Sequence, residues 1–149
     1  MKTFCRSLAL LLASAGAVAG AGPYTDLFVF GDSLSDVGNT DAATFGFVPG
    51  SGYDDGRFSN GPLYSERLSE GLGLGTLRRS GAGGRNFAYG GAETDGPRGL
   101  EGLFLDSLVE QVDEFVDRLG STTPSPDALF VVFIGANDLF AGQTNVATP

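Results

Sequence analysis

Three places in this 149-residue chain hold residue types that together suit one piece of chemistry, the opening of an ester. Ser33 stands two residues past an apolar run that ends at Gly31. A serine hydroxyl becomes a nucleophile when a neighbouring base takes its proton. Asn137 follows a second apolar run that ends at Gly135, and its side-chain amide can donate to an oxyanion, a contribution typically of about 3–4 kcal/mol. The pair Gly90-Gly91 lets a backbone N–H approach the same point with no side chain in the way. Each feature also has an ordinary use. A serine after a strand caps a helix, Gly-x-Asn-Asp and Gly-Gly make turns, and Asp32 and Asp36 would complement a helix dipole. Three segment ends that each supply one part of an ester-cleaving site favour the chemical reading. The part not supplied is the base. The chain has no histidine, so a hydrolase that needs an imidazole is not complete within it. Asp138 is no substitute, because a carboxylate is a poor base for a serine hydroxyl near neutral pH.

The elements that must position these residues are read from hydrophobic pattern. Leu27-Phe28-Val29-Phe30 is continuously apolar, which predicts a strand covered on both faces, as in a parallel sheet between helices. Residues 41–61, rich in Gly, Asp, Ser and aromatics, read as a long loop. Pro62 opens a short helical stretch with Leu63, Leu68 and Leu72 inward, fading at Gly71 and Gly73. Asn86-Phe87-Ala88-Tyr89 reads as a short second strand. From Asp106 to Leu119, the residues Leu105, Leu108, Val109, Val112, Phe115, Val116 and Leu119 follow the three-and-four spacing of one helix face. Ser107 with Glu110 predicts a capping box and Gly120 a stop. Ala128 to Ile134 is a third apolar run. The order strand, helix, strand, helix, strand implies an α/β fold with parallel strands. An apolar strand this close to Pro149 would lie at an open sheet edge, so the chain is expected to be the first part of a domain.

Composition narrows the class. With 9 Lys+Arg against 18 Asp+Glu, a net charge of −9, the chain lacks the clustered cations of a nucleic-acid binder. Hydrophobic residues at 42% are too many for a disordered acidic tail. Residues 1–21 read as a secretory signal peptide. Lys2 and Arg6 precede an apolar run from Leu8 to Val18, and Ala17, Ala19 and Ala21 follow as small residues. The run is too short for a bilayer core of about 30 Å. A secreted or periplasmic location is therefore expected, with residues 22–149 as the mature part. The lone Cys5 falls in the leader, so no disulfide is available to the rest.

Phe30-Gly31-Asp32-Ser33-Leu34-Ser35-Asp36-Val37-Gly38-Asn39 resembles the opening block of the GDSL esterase/lipase family of the SGNH hydrolase superfamily. Gly56-Arg57-Phe58-Ser59-Asn60-Gly61 is similar to the GRFSNG segment frequent there. Asn86 to Ala92 is similar to the second block, and Gly135-Ala136-Asn137-Asp138 to the G-x-N-D block. The resemblance implies that Ser33 is the nucleophile. Its backbone N–H, the backbone N–H of Gly91 and the side chain of Asn137 would form the oxyanion hole, with Gly90 an alternative to Gly91. Asp32 would order the turn. The implied fold is a flavodoxin-like three-layer α/β/α sandwich, of which this chain would supply the first three strands. The implied activity is carboxylic ester hydrolysis through an acyl-enzyme. It would act on a small-molecule or lipid ester, with no cofactor, metal or obligate protein partner. The family's Asp-x-x-His block, which supplies the general base, has no match in this sequence. The chain alone is therefore expected to be inactive, and a truncated non-catalytic binding module or pseudoenzyme is the alternative.

Overall fold

The computed structural model describes residues 22–96 and 105–142. The leader reading of residues 1–21 lies outside the described residues. Strand β1, Asp26–Gly31, pairs in parallel with β2, Ala128–Phe133, in a register that sets Leu27 beside Leu129 and Gly31 beside Phe133. Alternation along β1 sends its side chains to two different packing layers. Leu27 and Val29 form a core with Leu77, joined by Val37, Leu68, Leu74, Leu129 and Val131. On the other face Phe28 and Phe30 meet Phe115, whose ring lies 4.9 Å from Phe28 and 5.6 Å from Phe30. Phe87 and Phe130 complete that aromatic cluster, each 5.7 Å from Phe115. Burial on both faces is why β1 is continuously apolar.

Four helices accompany the strands: α1 Asn39–Ala43, α2 Tyr64–Gly71, α3 Leu108–Leu119 and α4 Ala136–Phe140. Helix α2 supplies Leu68 to the Leu27 core. Helix α3 begins and ends as its sequence requires. Ser107 Oγ accepts from the Glu110 amide, Glu110 returns the bond to the Ser107 amide, and Gly120 at φ +55° stops the helix.

Three expectations are corrected. The loop read from residue 41 is preceded and entered by α1, because the Asp36 carboxylate accepts the amides of Gly38, Asn39 and Thr40 and so caps a helical turn. The inward face of α3 is not the valine stripe: Val109, Val112 and Val116 are exposed, whereas Gln111 is fully buried.

The third correction concerns Asn86–Tyr89, which is not a strand of the sheet but joins β1 through a single parallel bridge at Val29. Val29 N–H donates to Arg85 C=O, Phe87 N–H to Val29 C=O, and Tyr89 N–H to Gly31 C=O. In a regular parallel ladder the remaining bond would run from Gly31 N–H to Phe87 C=O. That N–H instead donates to Gln111 Oε1 at 2.9 Å. A side chain from α3 occupies that rung, while the last bond, Tyr89 N–H to Gly31 C=O, is kept. The described sheet thus has two strands, β1 flanked by β2 on one side and the bridged segment on the other.

Candidate active site

Gly31 sits where these segments meet. Its register partner is Phe133, and its C=O accepts from Tyr89. A Cβ here would lie 2.2 Å from Phe133 O, and φ is +152°, so only glycine fits. Ser33 is two residues beyond Gly31, Gly91 two beyond Tyr89, and Asn137 four beyond Phe133. All three candidate residues therefore lie off one end of the sheet, at the carboxyl ends of parallel segments, where open α/β sheets bind ligands.

The turn that carries Ser33 is organised by Asp32. Its carboxylate accepts the Leu34 amide at 3.0 Å, and its C=O accepts from Ser35 and Asp36. This is the turn-ordering part the sequence assigned to it. Ser33 itself is half-buried, and its hydroxyl has no hydrogen-bond partner among the described residues.

The glycine pair is fixed from three sides. Gly90 N–H donates to Asp36 Oδ2 at 3.0 Å and to Thr40 Oγ1 at 2.7 Å. Against Gly90 lies the Phe58 ring, so close that a Cβ would fall 2.2 Å from its edge carbons. The Gly90 N–H is thus bonded inside the protein, whereas the Gly91 N–H has no acceptor among the described residues. Gly91 adopts φ +82° and is exposed. Burial pushes the Asp36 carboxyl up, against hydrogen bonds from Thr40, Gly38 and Asn39 that pull it down.

Asn137 reaches back across the site. One Nδ2 hydrogen bonds Ala92 C=O at 2.8 Å, which ties α4 to the glycine turn. Its neighbour Asp138 accepts from the Thr94 amide at 3.0 and 3.1 Å and from the Thr94 hydroxyl. Burial raises the Asp138 carboxyl, yet the Thr94 bonds outweigh it and hold the group below the usual carboxylate range. An ionised carboxylate already engaged by Thr94 is a brace.

A pattern emerges from the donors. The amides of Leu34, Ser35, Asp36, Gly90, Ala92 and Thr94 all have acceptors. Those of Ser33 and Gly91, and the second Nδ2 hydrogen of Asn137, have none among the described residues. Among the donors of the Ser33 turn, the glycine turn and the Asn137 side chain, these three candidates are left without an acceptor in the described residues.

Sequence reasoning missed the residues that hold this arrangement. Asn39, buried, donates Nδ2 to Asn86 C=O at 2.9 Å and Ala88 C=O at 3.0 Å. It does for the far side of the 86–90 segment what a neighbouring strand would do. The Gly56–Gly61 segment contributes Phe58 and Arg57. The Arg57 guanidinium makes two bonds to Glu66, at 2.8 and 2.9 Å, and also reaches Asp54 and Asp55. Burial alone would raise the Glu66 carboxyl, but Arg57 and the Leu63 amide hold it below its ordinary range. The paired Asp54 and Asp55 in the loop are thus partners of an arginine. The local signals were the density of Asp, Asn and Thr between Asp32 and Thr40 and, for Arg57 and Phe58, the Gly56–Gly61 segment itself.

A profile of the GDSL-like lipase/acylhydrolase family matches residues 27–149. The chain is 30% identical over 142 residues to the phosphatidylcholine-sterol acyltransferase of Aeromonas hydrophila, covering 94% of this chain and 40% of that protein. It is 30% identical over 148 residues to lipase 1 of Photorhabdus luminescens, covering 98% of this chain and 20% of that protein. A GDSL esterase/lipase of Arabidopsis thaliana is 31% identical over 143 residues, with 75% of this chain and 39% of that protein covered. The chain therefore spans between a fifth and two fifths of the length of these relatives.

Proposed function

The chain belongs to the GDSL-like lipase/acylhydrolase family, and from that premise we propose that it carries the nucleophile and oxyanion half of a secreted carboxylic ester hydrolase. Ser33 Oγ attacks the carbonyl carbon of the ester, and its proton passes to a general base. The carbonyl oxygen becomes an oxyanion held by the N–H groups of Ser33 and Gly91 and by Asn137 Nδ2. Collapse expels the alcohol, which takes the proton, and leaves an acyl-Ser33. Water then attacks the acyl carbon, gives its proton to the base, and releases the acid with Ser33 restored. The step needs neither metal nor nucleotide. The observation that carries this reading is that three donors without acceptors and a serine hydroxyl without a partner lie off the same end of the sheet among the described residues. The fold that suits it is the flavodoxin-like three-layer sandwich, supported by the packing of β1 on both faces.

The base is the missing half. With no histidine in the chain, an imidazole must come from outside these 149 residues, and the chain alone is expected to turn over esters barely at all. Names of the relatives, a lipase and a phospholipid-sterol acyltransferase, favour a lipid or other small ester as substrate. The test is hydrolysis of p-nitrophenyl butyrate with and without added imidazole, read against Ser33→Ala to subtract the buffer reaction. Turnover should require imidazole and vanish in the mutant. Equal rates for both proteins would remove Ser33 as nucleophile, and brisk turnover without imidazole would refute the missing base. The absence of histidine also supports a second reading, a non-catalytic binding module. Cooperative unfolding with no Ser33-dependent ester chemistry would favour that.

A further inference from the structure

Gln111 is fully buried and bonds with both ends of its amide. Oε1 accepts from Gly31 N–H at 2.9 Å, and Nε2 donates to Gly31 C=O at 2.9 Å and to Asp106 C=O at 3.0 Å. Both N–H donors are used, and the acceptor takes the Gly31 amide, which the bridged segment leaves open. Burying a glutamine without such partners is costly, so the position is built for an amide. Its target is the last residue of β1, two residues before Ser33. The rung it occupies is the one that would have drawn Phe87 C=O against Gly31. The next bond of the ladder, Tyr89 N–H to Gly31 C=O at 3.1 Å, is kept, so Gln111 and Tyr89 share the Gly31 carbonyl while Gln111 alone holds the Gly31 amide, between the Ser33 turn and the glycine turn.

We propose that Gln111 is a positioning residue for the oxyanion site: by taking the Gly31 rung it holds the Ser33 turn and the Gly91 turn at the separation an ester needs. It touches neither substrate nor reacting atoms. The proposal rests on the reading of Ser33 and Gly91 given above.

Gln111→Met keeps the length of the side chain and removes its hydrogen bonds. Ser107→Ala is the control, since it removes the cap of the same helix without touching Gly31. Two measurements separate the outcomes in the full chain. In imidazole-supported butyrate ester hydrolysis, Gln111→Met should lower kcat at least tenfold with KM within twofold, and Ser107→Ala should leave both within twofold. In amide hydrogen exchange, Gln111→Met should speed exchange across residues 89–92 while the α2 segment 64–71 keeps its protection. Equal kcat losses in the two variants would overturn the proposal, because Gln111 would then act only through helix stability. Unchanged exchange at 89–92 would overturn it as well. Should Ser33→Ala leave hydrolysis untouched, the nucleophile reading fails, and the exchange pattern alone then decides whether Gln111 sets the turn.

Discussion

Replacing Gly90 by alanine inserts one methyl group at the tightest point of the site. An ideal Cβ would lie 2.2 Å from both Cε2 and Cζ of Phe58, about 1.5 Å inside an ordinary carbon contact. The backbone is no obstacle, since Gly90 is absent from the positions with positive φ. The clash is with one ring edge only. Overpacking of this kind typically costs about 1–3 kcal/mol, and either Phe58 swings out or Gly90 moves. If Gly90 moves, the Gly91 N–H moves with it, and loss of one oxyanion donor typically lowers turnover by about 10²–10³. Phe58→Ala removes the obstructing ring, so the pair forms a double-mutant cycle. Urea unfolding and imidazole-supported ester hydrolysis of the wild type, Gly90→Ala, Phe58→Ala and the double variant are the assay. The double variant should be more stable than the sum of the singles by about 1–3 kcal/mol and should regain turnover relative to Gly90→Ala. Gly31→Ala supplies the contrast. Its Cβ would also meet an atom at 2.2 Å, but that atom is the backbone oxygen of Phe133 and φ is +152°, so trimming a side chain cannot relieve it. Strict additivity of Gly90→Ala and Phe58→Ala would refute the reasoning.

Asn39→Ala should lower stability by about 1–3 kcal/mol in urea unfolding, the usual cost of an unsatisfied buried polar group. Asn86 C=O keeps the Ser80 amide, whereas Ala88 C=O has no other partner among the described residues. Phe115→Ala should cost about 3 kcal/mol, the low end for a core phenylalanine, because Phe115 is half-buried yet meets four other rings. The Arg57–Glu66 pair makes stability pH-dependent with a fixed sign. Glu66 has its folded pKa below the unfolded value, so its contribution is complete above about pH 4.3 and is lost as pH falls through the folded value. Glu66→Gln should flatten that acid limb in urea midpoints measured between neutral pH and pH 3, and an unchanged limb would contradict the assignment.

Elements fixed by local pattern were legible. The β1 run, the capped α3 with Gly120, the β2 run and a short α2 all stand where apolar periodicity and caps put them. The candidate site was legible as a set of positions, because Ser33, Gly91 and Asn137 follow glycines at segment ends that the structure places off one end of the sheet. What escaped was long-range. Asn86–Tyr89 has strand-like residues, and nothing near it in sequence says that Gln111 will take its rung, since the two partners of that bond are 80 residues apart. Nothing local assigns Asp36, Asn39 and Thr40 their buried roles, because their partners at 86–90 lie about 50 residues on. On α3 the valines outweigh a glutamine by hydropathy, but a buried backbone pair at Gly31 needs a partner more than it needs a methyl group.

The central claim is that Ser33 is the nucleophile, and it is tested most directly by covalent trapping. Diethyl p-nitrophenyl phosphate, a serine-directed ester whose adduct does not turn over, is incubated with the chain in imidazole buffer, and the modified peptide is identified by mass spectrometry. Ser33 Oγ would attack phosphorus, imidazole would take the proton and p-nitrophenolate would leave. The account predicts one diethylphosphoryl group per chain, on Ser33, dependent on imidazole and absent in Ser33→Ala. An adduct on another residue, equal labelling of Ser33→Ala, or a folded chain that stays unlabelled would contradict it.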